Sequence, residues 1–400
     1  MGALNGVTVL SFNHFLSGPA AAQFLGDIGA DVIAIEPLNG AFQRNWAVGN
    51  RFVDDTSVNH MTTGRNKRSV AVDLKSPEGL AVVRRLLERA DVVMENFRPG
   101  TLDKLGLSEA EMRKVNPRLI YAATTGYGGD GPYSTRPGQD VLLQAMSGLA
   151  AHTGSMETGP IAIGTVPIDH HAAVLTVAGI LAALFERERT GQGKRVEVNM
   201  LQAALDLQGE SITAWMNGAD RAGPRGQAGM ANWFSPAPYG IYAVQDGHVM
   251  ISMSKPADLA QALDLPQLAD FTEKDGFDRR AEISAMVAQG MAALTADQAL
   301  ERLAGAGVWH ELVRDYDSLR DNPQVRHLGA FIDAQTQGGS PMTMLAHPIR
   351  YDGAPPPVRL TPQPLGGQTR EVLAEAGFSA QEIDALIAGG AVAQTDKMRG

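Results

Sequence analysis

The stretch PIAIGTVPIDHHAAVLTVAGILAALFERERTGQGKRVEVNM, residues 160–200, decides how we interpret the fold. A turn bounded by prolines leads to Asp169, and the apolar run over 172–185 predicts a buried helix. The tract TGQG at 190–193 ends this helix, and RVEV at 195–198 predicts a strand. The stretch therefore places one carboxylate at the beginning of a buried helix that leads into a sheet.

Two interpretations of Asp169 follow from this position. Aspartate is a preferred N-cap, where its side chain accepts hydrogen bonds from backbone N–H groups of the first turn. The same position suits a nucleophile, because the positive end of the helix dipole holds a carboxylate ionised. His170 and His171 are adjacent and point about 100° apart on a helix. They do not form a two-ligand metal face, and local hydrogen bonds are their favoured role.

The chain before this stretch repeats a strand–helix pattern. Predicted strands at 7–12, 30–36, 69–74, 90–94 and 119–125 are separated by helical segments such as 20–29. This pattern predicts a doubly wound α/β domain with a parallel sheet. A GxGxxG fingerprint is absent from the first unit, so a dinucleotide site is not supported. Residues 37–65 are predicted to form a long loop, and 201–216 a single helix.

The pattern of predicted elements changes after the Gly/Pro/Arg-rich linker at 218–236. A hairpin is predicted over 239–244 and 248–253, across the turn-forming pair Asp246-Gly247. Short helices follow, so residues 225–330 are predicted to be a smaller α+β domain. A second linker lies near 325–366, with a proline-rich tract at 352–365, and helices are predicted at 369–377 and 380–388.

Composition excludes several classes of function. The chain has 34 basic and 44 acidic residues in 400, a net charge of −10, which argues against nucleic-acid binding. It has no cysteine, so disulfides, thiolate nucleophiles and zinc–thiolate sites are excluded. The longest apolar run looks too short and interrupted to span a bilayer. We expect a cytoplasmic protein without a membrane or nucleic-acid partner and without a metal.

Several loops at the predicted carboxyl ends of strands carry polar and basic side chains. Open α/β sheets bind ligands at this edge. The basic residues Arg65, Lys67, Arg68, Arg98 and Lys104 cluster there in an otherwise acidic chain. Each pair alone is typical of a solvated turn, but their shared position predicts a ligand that carries phosphate.

Six ordered blocks of sequence resemble the CaiB/BaiF family, the class III CoA-transferases, along essentially the whole chain. The first runs from Leu4 to Glu36 and contains SGPAAAQFLGDIGADVI. The others are GRNKRSVAVDLKSPEG (64–79), ADVVMENFRPGTLDKLGL (90–107), NPRLIYAATTGYGGDGPY (116–133), PIDHHAAVLTVAGILAALFERERTGQGKRVEVNML (167–201) and PLGGQTREVLAEAGFSAQEIDAL (364–386).

The resemblance implies a set of site residues. The family's active carboxylate corresponds to Asp169, and Gln139 and Asp140 match a pair that flanks the reactive thioester, with Gln139 a candidate donor to the thioester oxygen. Coenzyme A is expected on the N-terminal domain. The matching positions are Phe15, Leu16, Ser17, Arg65, Asn66, Lys67, Asn96, Phe97, Arg98 and Lys104.

The resemblance also implies an assembly and an activity. We expect an interlocked homodimer whose large domain combines residues 1–217 and 331–400. The expected reaction moves CoA from an acyl-CoA thioester to a carboxylic acid through a covalent intermediate on Asp169. The alternatives are an isomerase that moves CoA between two carboxyls of one dicarboxylate, an acyl-CoA racemase, a non-catalytic acyl-CoA binder and a purely structural α/β dimer.

Departures from the family pattern bear on these alternatives. The racemase branch has His where Gln139 stands, and racemisation needs an acid and a base on opposite faces of the α-carbon, so that alternative is disfavoured. The linker GQAGMANWFSPAPYG at 226–240 lacks the glycine run of formyl-CoA transferases, which argues against oxalate or formate. The turn after the second strand reads Pro37-Leu38-Asn39, so a phosphate contact is either missing or supplied by Arg44.

The acyl group is not determined by these patterns. The aromatic residues Trp233, Phe234 and Tyr239 are candidates for an acyl pocket, with core packing as the alternative. Arg221 and Arg225 are candidates to bind a second carboxylate of a dicarboxylic substrate, with plain solvation as the alternative.

Overall fold

The fold is described from a computed structural model, which covers residues 2–219 and 225–395. The strands in these residues are β1 Thr8–Phe12, β2 Asp31–Glu36, β3 Phe52–Val53, β4 Thr56–Ser57, β5 Lys67–Val72, β6 Val92–Glu95, β7 Ile120–Thr125, β8 Arg195–Asn199, β9 Gly240–Val244, β10 Gly247–Ile251, β11 His310–Leu312, β12 Phe331–Gln335, β13 Pro341–Leu345 and β14 Val392–Ala393.

The same residues form helices before, between and after these strands. The helices are α1 Ser17–Asp27, α2 Phe42–Asn45, α3 Val58–Thr63, α4 Pro77–Leu87, α5 Thr101–Lys104, α6 Glu109–Val115, α7 Asp140–Met146, α8 Leu149–His152, α9 Pro167–Thr190, α10 Met200–Asp206, α11 Gly209–Met216, α12 Pro256–Leu263, α13 Asp275–Asp278, α14 Arg280–Ala292, α15 Ala296–Gly305, α16 Tyr316–Leu319, α17 Pro323–Leu328, α18 Thr369–Glu375 and α19 Ala380–Ala388. Two short 3₁₀ helices lie at Val48–Asn50 and Pro266–Asp270.

A mostly parallel sheet confirms the predicted α/β class. Its order is β14-β5-β2-β1-β6-β7-β8, and all neighbours are parallel except β14 and β5. The chain moves from β1 through β2 to β5, then returns to the other side of β1 at β6. The order therefore reverses between β1 and β6, and ligands bind at such a switch point in open α/β sheets.

Both faces of this sheet are covered, as expected for parallel strands. Because side chains alternate along a strand, Leu10 and Phe12 lie in one core cluster with residues of α4, α18 and α19. Val9 lies in the opposite cluster with Leu25 of α1 and Ile180 of α9. Helices α1 and α9 thus share one face, and their N-termini lie near the switch point.

The described chain divides into two compact units. The first combines Met1–Leu143, Val166–Ala203 and Pro323–Gly400, and the second combines Gln144–Thr165 and Ala204–Asn322. Both chain ends enter the first unit, where β14 pairs with β5. The division differs from the expected boundaries, because 144–165 and 204–217 cluster with the second unit.

The second unit has its own sheet and core. Strands β9, β10 and β11 form an antiparallel sheet, and the predicted hairpin is confirmed over Gly240–Val244 and Gly247–Ile251. Buried Val249, Leu259, Val287 and Leu303 belong to a core cluster built from this sheet and helices α12, α14 and α15.

Three expectations from the sequence were wrong. Residues 37–65 contain α2, α3 and the short hairpin β3–β4 and are not one long loop. The single helix expected at 201–216 is broken into α10 and α11. Helix α9 runs for 24 residues and contains an 18-residue window with a mean hydropathy of 1.6, so it is long and apolar enough to cross a membrane by length and composition. One such helix is weak support for a membrane span, since core helices have the same composition.

Candidate active site

An amide clasp joins the two loops at the switch point. The backbone N–H of His14 donates to Asn96 Oδ1 at 2.9 Å, and Asn96 Nδ2 donates to the carbonyl oxygen of His14 at 2.8 Å. One side chain thereby makes the pair of bonds that a neighbouring strand would make. Asn96, predicted to contact coenzyme A, ties the β1 loop to the β6 loop.

Aromatic rings line the same loops. The ring of His14 stacks on Phe97, with centroids 5.1 Å apart and planes at 25°. Phe15 adopts a left-handed backbone with φ 59° and is 40% exposed, and its ring centroid lies 4.2 Å from that of Phe42. A non-glycine residue in this region carries strain, and such strain is concentrated at functional sites. The sequence predicts Phe15 and Phe97 as site residues but not Phe42, which lies in the segment 37–65 that is predicted to be a loop.

Glu95 is a site residue that sequence reasoning missed, although it stands in the quoted block ADVVMENFRPG. Its Oε2 accepts a hydrogen bond from the Phe97 N–H at 2.7 Å, and the hydroxyl of Tyr121 lies 3.4 Å from its Oε1. Burial raises the pKa of Glu95 to about 7. The Glu95 carboxyl group therefore holds the backbone of the loop at Phe97 in place.

Asp169 lies in the first turn of α9, close to the N-terminus of α1. The backbone N–H of Ser17, the first residue of α1, lies near this carboxyl group and favours its ionised form. Ser17 is buried, and its hydroxyl oxygen has no hydrogen-bond partner within the described structure. The predicted nucleophile and the predicted Ser17 are thus brought together, and the dipole that faces the carboxyl group is that of α1.

The N-cap interpretation of Asp169 was wrong. Helix α9 begins at Pro167, so Asp169 is its third residue, and its N-cap Val166 makes no side-chain cap. Asp140 supplies the cap from a different element. Its Oδ2 accepts the N–H of Ile168 at 2.7 Å and the N–H of Asp169 at 3.0 Å.

The expectation that α9 holds Asp169 ionised was also wrong. Burial, and after it the charge of Asp140, raise the pKa of Asp169 to about 7, against the opposing effect of the Ser17 N–H. The N–H groups that were expected to stabilise this carboxylate are bound by Asp140. Asp169 therefore changes protonation state near neutral pH.

Gln139 lies directly before Asp140 at the start of α7. It is exposed, and its carbonyl oxygen accepts the N–H groups of Leu142 and Leu143 at 3.0 and 3.1 Å. Its backbone thus begins the helix that places Asp140, and its exposed side chain stays a candidate donor to substrate.

The predicted basic turn has a structural role. Arg65 is buried and pairs with Asp27, with Nη2 and Oδ2 2.7 Å apart. Asn66 Nδ2 donates to the same carboxylate at 2.7 Å, and Lys67 Nζ donates to the carbonyl oxygen of Pro19 at 2.6 Å. Burial lowers the pKa of Lys67 to about 7. Direct contact of these side chains with coenzyme A is not supported, because they are buried and bound to protein groups.

Arg44 likewise has internal partners. Its guanidinium pairs with buried Glu36, with Nε and Oε2 2.6 Å apart, and donates to the carbonyl oxygen of Gln363 at 2.9 Å. Direct contact of Arg44 with a phosphate is therefore not supported, because its guanidinium is bound by protein groups. Arg98 and Lys104 are the predicted basic residues that are exposed near the switch point. Leu16, also predicted, is partly buried directly before Ser17.

The described candidates for an acyl pocket belong to the second unit. Trp233 is buried and packs against Trp215, with centroids 5.6 Å apart. Arg225 donates to the carbonyl oxygens of Ser155 and Ala151 at 3.0 and 2.6 Å. These contacts give both side chains structural roles. Phe234 and Tyr239 are both partly buried, and Arg221 lies outside the described residues.

Within the described ranges 2–219 and 225–395, no group of three or more His, Asp or Glu side chains is arranged to hold a metal ion. The described residues at the switch point offer a carboxyl group with a pKa near neutrality, backbone N–H donors, aromatic rings and two exposed cations.

Solved structures match this fold over nearly the whole chain. A CaiB/BaiF family protein from Brucella suis matches with a TM-score of 0.82 and 29% identity, over 94% of this chain and 99% of that one. A Mycobacterium tuberculosis protein matches with a TM-score of 0.80 and 29% identity, over 93% and 99%.

The chain belongs to CoA-transferase family III, whose family model matches residues 4–370. It is 30% identical to a succinyl-CoA:glutarate CoA-transferase of Mus musculus, over 98% of this chain and 91% of that protein. It is 31% identical to a succinate–glutarate CoA-transferase of Agrobacterium fabrum, over 93% and 95%. It is 32% identical to the alpha subunit of a succinyl-CoA–L-malate CoA-transferase of Chloroflexus aurantiacus, over 96% and 91%. The protein is accordingly a CoA-transferase.

Proposed function

We propose that this protein transfers CoA from succinyl-CoA to a short dicarboxylic acid through a covalent intermediate on Asp169. One observation carries the proposal: the carboxyl group of Asp169 lies at the switch point of the sheet and faces the N-terminus of α1, near the Ser17 N–H. The dicarboxylic substrates are inferred from the names of the relatives in mouse, Agrobacterium and Chloroflexus.

The reaction begins with an attack of the Asp169 carboxylate oxygen on the thioester carbonyl carbon. A C–O bond forms, the C–S bond breaks and CoA leaves as a thiolate, which gives an aspartyl–acyl anhydride. The thiolate then attacks the aspartyl carbonyl carbon, so that a new C–S bond forms and the donor acid leaves as a carboxylate. The acceptor carboxylate then attacks the aspartyl thioester, which gives a new anhydride and releases the CoA thiolate. The thiolate attacks the acyl carbonyl of this anhydride, which gives the new acyl-CoA and the free Asp169 carboxylate. No proton is consumed, and one thioester replaces another.

Coenzyme A is proposed to lie across the loops that the Asn96 clasp joins. Arg98 and Lys104 are exposed there and offer positive charge to its phosphates. Phe15 and Phe97 offer apolar surface to the pantetheine arm. The backbone N–H groups at the N-terminus of α1 are suited to stabilise the oxyanion that forms at the attacked carbonyl.

Hydroxylamine trapping tests the covalent step. The enzyme is mixed with succinyl-CoA and then with hydroxylamine, which converts an activated aspartyl carbonyl into a hydroxamate that peptide mass spectrometry locates. We expect the hydroxamate on Asp169 in the wild type and its loss in Asp169→Asn. A wild-type enzyme that exchanges CoA without this modification would contradict the covalent mechanism.

A substrate panel tests the donor and the acceptor. Succinyl-CoA, acetyl-CoA and butyryl-CoA are compared as donors, each with glutarate, malate and acetate as acceptors. We expect the highest kcat/KM for succinyl-CoA with a dicarboxylic acceptor. Rearrangement of an unsymmetrical dicarboxylyl-CoA without an added acid would instead favour the intramolecular isomerase.

We also propose that the protein acts in the cytoplasm as a homodimer. An apolar stripe on α9 supports the assembly: Val174, Leu181 and Phe185 recur at helical spacing and are each more than a third exposed. Exposed apolar side chains in this arrangement are typical of an interface between proteins.

A further inference from the structure

We propose that Asp140 is a positioning residue for Asp169: its buried carboxylate holds the N-terminus of α9 and places a second negative charge beside the nucleophile. The inference rests on the proposed role of Asp169 and adds a residue that controls its reactivity. Asp140 was expected from the resemblance to flank the substrate thioester, whereas the structure directs one of its oxygens to the protein backbone.

The hydrogen bonds of Asp140 fix the backbone of the nucleophile. Asp140 is 3% exposed, and Oδ2 accepts N–H groups from two consecutive residues, Ile168 and Asp169. These groups are donors that a helix N-terminus leaves without intrahelical partners. Proline at the first position of α9 has no N–H, so Asp140 binds the next two donors in the chain. A displacement of α7 would therefore displace the backbone of Asp169.

The charge of Asp140 acts on the carboxylate of Asp169 in the same place. A like charge nearby disfavours an ionised carboxyl group, and Asp140 also occupies donors that would otherwise stabilise it. The anhydride and the thioester on Asp169 carry no charge at that side chain. Asp140 therefore favours these acylated forms relative to the free carboxylate, which increases the reactivity of the nucleophile.

The other groups around Asp169 do not replace this effect. On α1, Ser17 contributes a backbone N–H, which favours the carboxylate. On α9 itself, the neighbouring His170 is exposed and His171 is partly buried. Among the described residues, Asp140 is the charged group with a marked electrostatic effect on Asp169, after the effect of burial.

The test compares Asp140→Asn and Asp140→Ala with the wild type. Asparagine keeps an oxygen that accepts the two N–H groups but removes the charge, whereas alanine removes both. The matched control is Glu188→Gln, which removes one charge from an exposed position near the far end of α9, about 28 Å away along the helix axis.

The first readout is the pH profile of kcat. The wild type is expected to lose activity as the pH falls through about 7, because the protonated Asp169 is not a nucleophile. Asp140→Asn is expected to shift this limb down by about one pH unit, and Glu188→Gln to leave it in place. Asp140→Ala is expected to shift the limb at least as far, because it also frees the two N–H donors, and to lose kcat by about 10–100-fold even at pH 9, because the nucleophile is misplaced. Asp140→Asn is expected to retain most of the kcat that Asp140→Ala loses.

A second readout needs no substrate. Carbodiimide activates a protonated carboxyl group, so its rate of reaction at Asp169 reports the protonation state over pH. Asp140 and Asp169 share one tryptic peptide, residues 119–187, and fragment spectra distinguish them. A lower midpoint in Asp140→Asn than in the wild type supports the proposal even if hydroxylamine trapping refutes the covalent mechanism.

Equal midpoints in the wild type, Asp140→Asn and Glu188→Gln would overturn the electrostatic part of the proposal. Equal kcat for Asp140→Ala and Asp140→Asn at pH 9 would overturn the positioning part. If Asp140→Ala does not fold, as judged by circular dichroism, the asparagine variant alone still decides the electrostatic part.

Discussion

Arg65 shows why a basic residue near a strand end does not by itself indicate a phosphate site. Its side chain and that of Asp27 are almost fully buried, with Nη2 and Oδ2 2.7 Å apart. Removing one partner of a buried pair leaves an uncompensated charge. We predict that Arg65→Met lowers the free energy of unfolding by about 3 kcal/mol, as measured by urea unfolding at pH 7.5.

Arg98→Met is the matched control for this prediction. Arg98 is exposed at the β6 loop, so its loss is expected to leave the unfolding free energy within about 0.5 kcal/mol of the wild type. The same variant is expected to raise the KM for acyl-CoA, since a cation near the proposed phosphates is lost. If the Arg65→Met enzyme has normal stability and a raised KM, Arg65 would instead be assigned to the binding site.

The raised pKa of Asp169 has a consequence for stability. The folded state binds more protons than the unfolded state between pH 4 and 7, so the contribution of this group to stability falls as the pH rises through that window. We predict that Asp169→Asn is inactive, is about 1 kcal/mol more stable than the wild type at pH 8, and loses this advantage at pH 5.

Thermal unfolding at the two pH values measures this difference, and a surface variant such as Glu188→Gln controls for the change in net charge. Equal stabilities of Asp169→Asn and the wild type at pH 8 would show that the carboxyl group is not destabilised in the fold. The cost of holding Asp169 near Asp140 would then be absent, and its pKa would be close to that of an ordinary aspartate.

At the scale of elements, the clasp made by Asn96 connects the loops after β1 and β6. The two hydrogen bonds to His14 are made by side-chain atoms, so alanine removes both and leaves partly buried backbone groups unpaired. We predict that Asn96→Ala lowers the unfolding free energy by about 2 kcal/mol and raises the KM for acyl-CoA by about tenfold, with a smaller change in kcat.

Steady-state kinetics with urea unfolding separates these effects. Asn116→Ala is a suitable control, since Asn116 also donates to backbone carbonyls, those of Leu87 and Ala90, but at the opposite ends of the strands. It is expected to lose stability without a change in KM. Similar KM values for the wild type and Asn96→Ala would limit the clasp to a structural role.

The sheet could be predicted from the sequence because its strands are short apolar runs between turn signals. Strands β1, β2, β6, β7 and β8 lie within two or three residues of their predicted positions. Residues 37–65 could not be predicted, because α2, α3 and β3–β4 are too short to carry a clear period. The position of Asp169 was predicted, but the cap from Asp140 depends on a contact between residues 29 positions apart.

The roles of the side chains in the basic turn could not be predicted for a related reason. Sequence shows that Arg65 and Lys67 stand beside a strand, but not that Asp27 and the carbonyl oxygen of Pro19 lie opposite them. Burial of charge is decided by tertiary partners that a local pattern does not contain. No local pattern distinguishes Arg98 and Lys104 from Arg65 and Lys67, although Arg98 and Lys104 are the exposed pair.

At the scale of the whole molecule, helix α9 joins the active site to the proposed dimer interface. Its inner face packs in the core with Ala173, Val177 and Ile180, and its outer face exposes Leu181 and Phe185, the latter by 68%. A helix that is apolar on all sides is typically covered on all sides. We predict that the wild type sediments at twice the chain mass of 42.5 kDa at micromolar concentration.

The double variant Leu181→Glu/Phe185→Glu is predicted to sediment as a monomer, because four charges in the interface would have to lose water without partners. Val115→Glu, at an exposed apolar position on α6, is the control and should stay dimeric. Circular dichroism establishes that each variant is folded. Since α9 also carries Asp169, the monomeric variant is expected to lose activity even though both substitutions lie more than 15 Å along the helix from this proposed nucleophile. A wild-type monomer with full activity would contradict the dimer, and the apolar stripe would then need another partner.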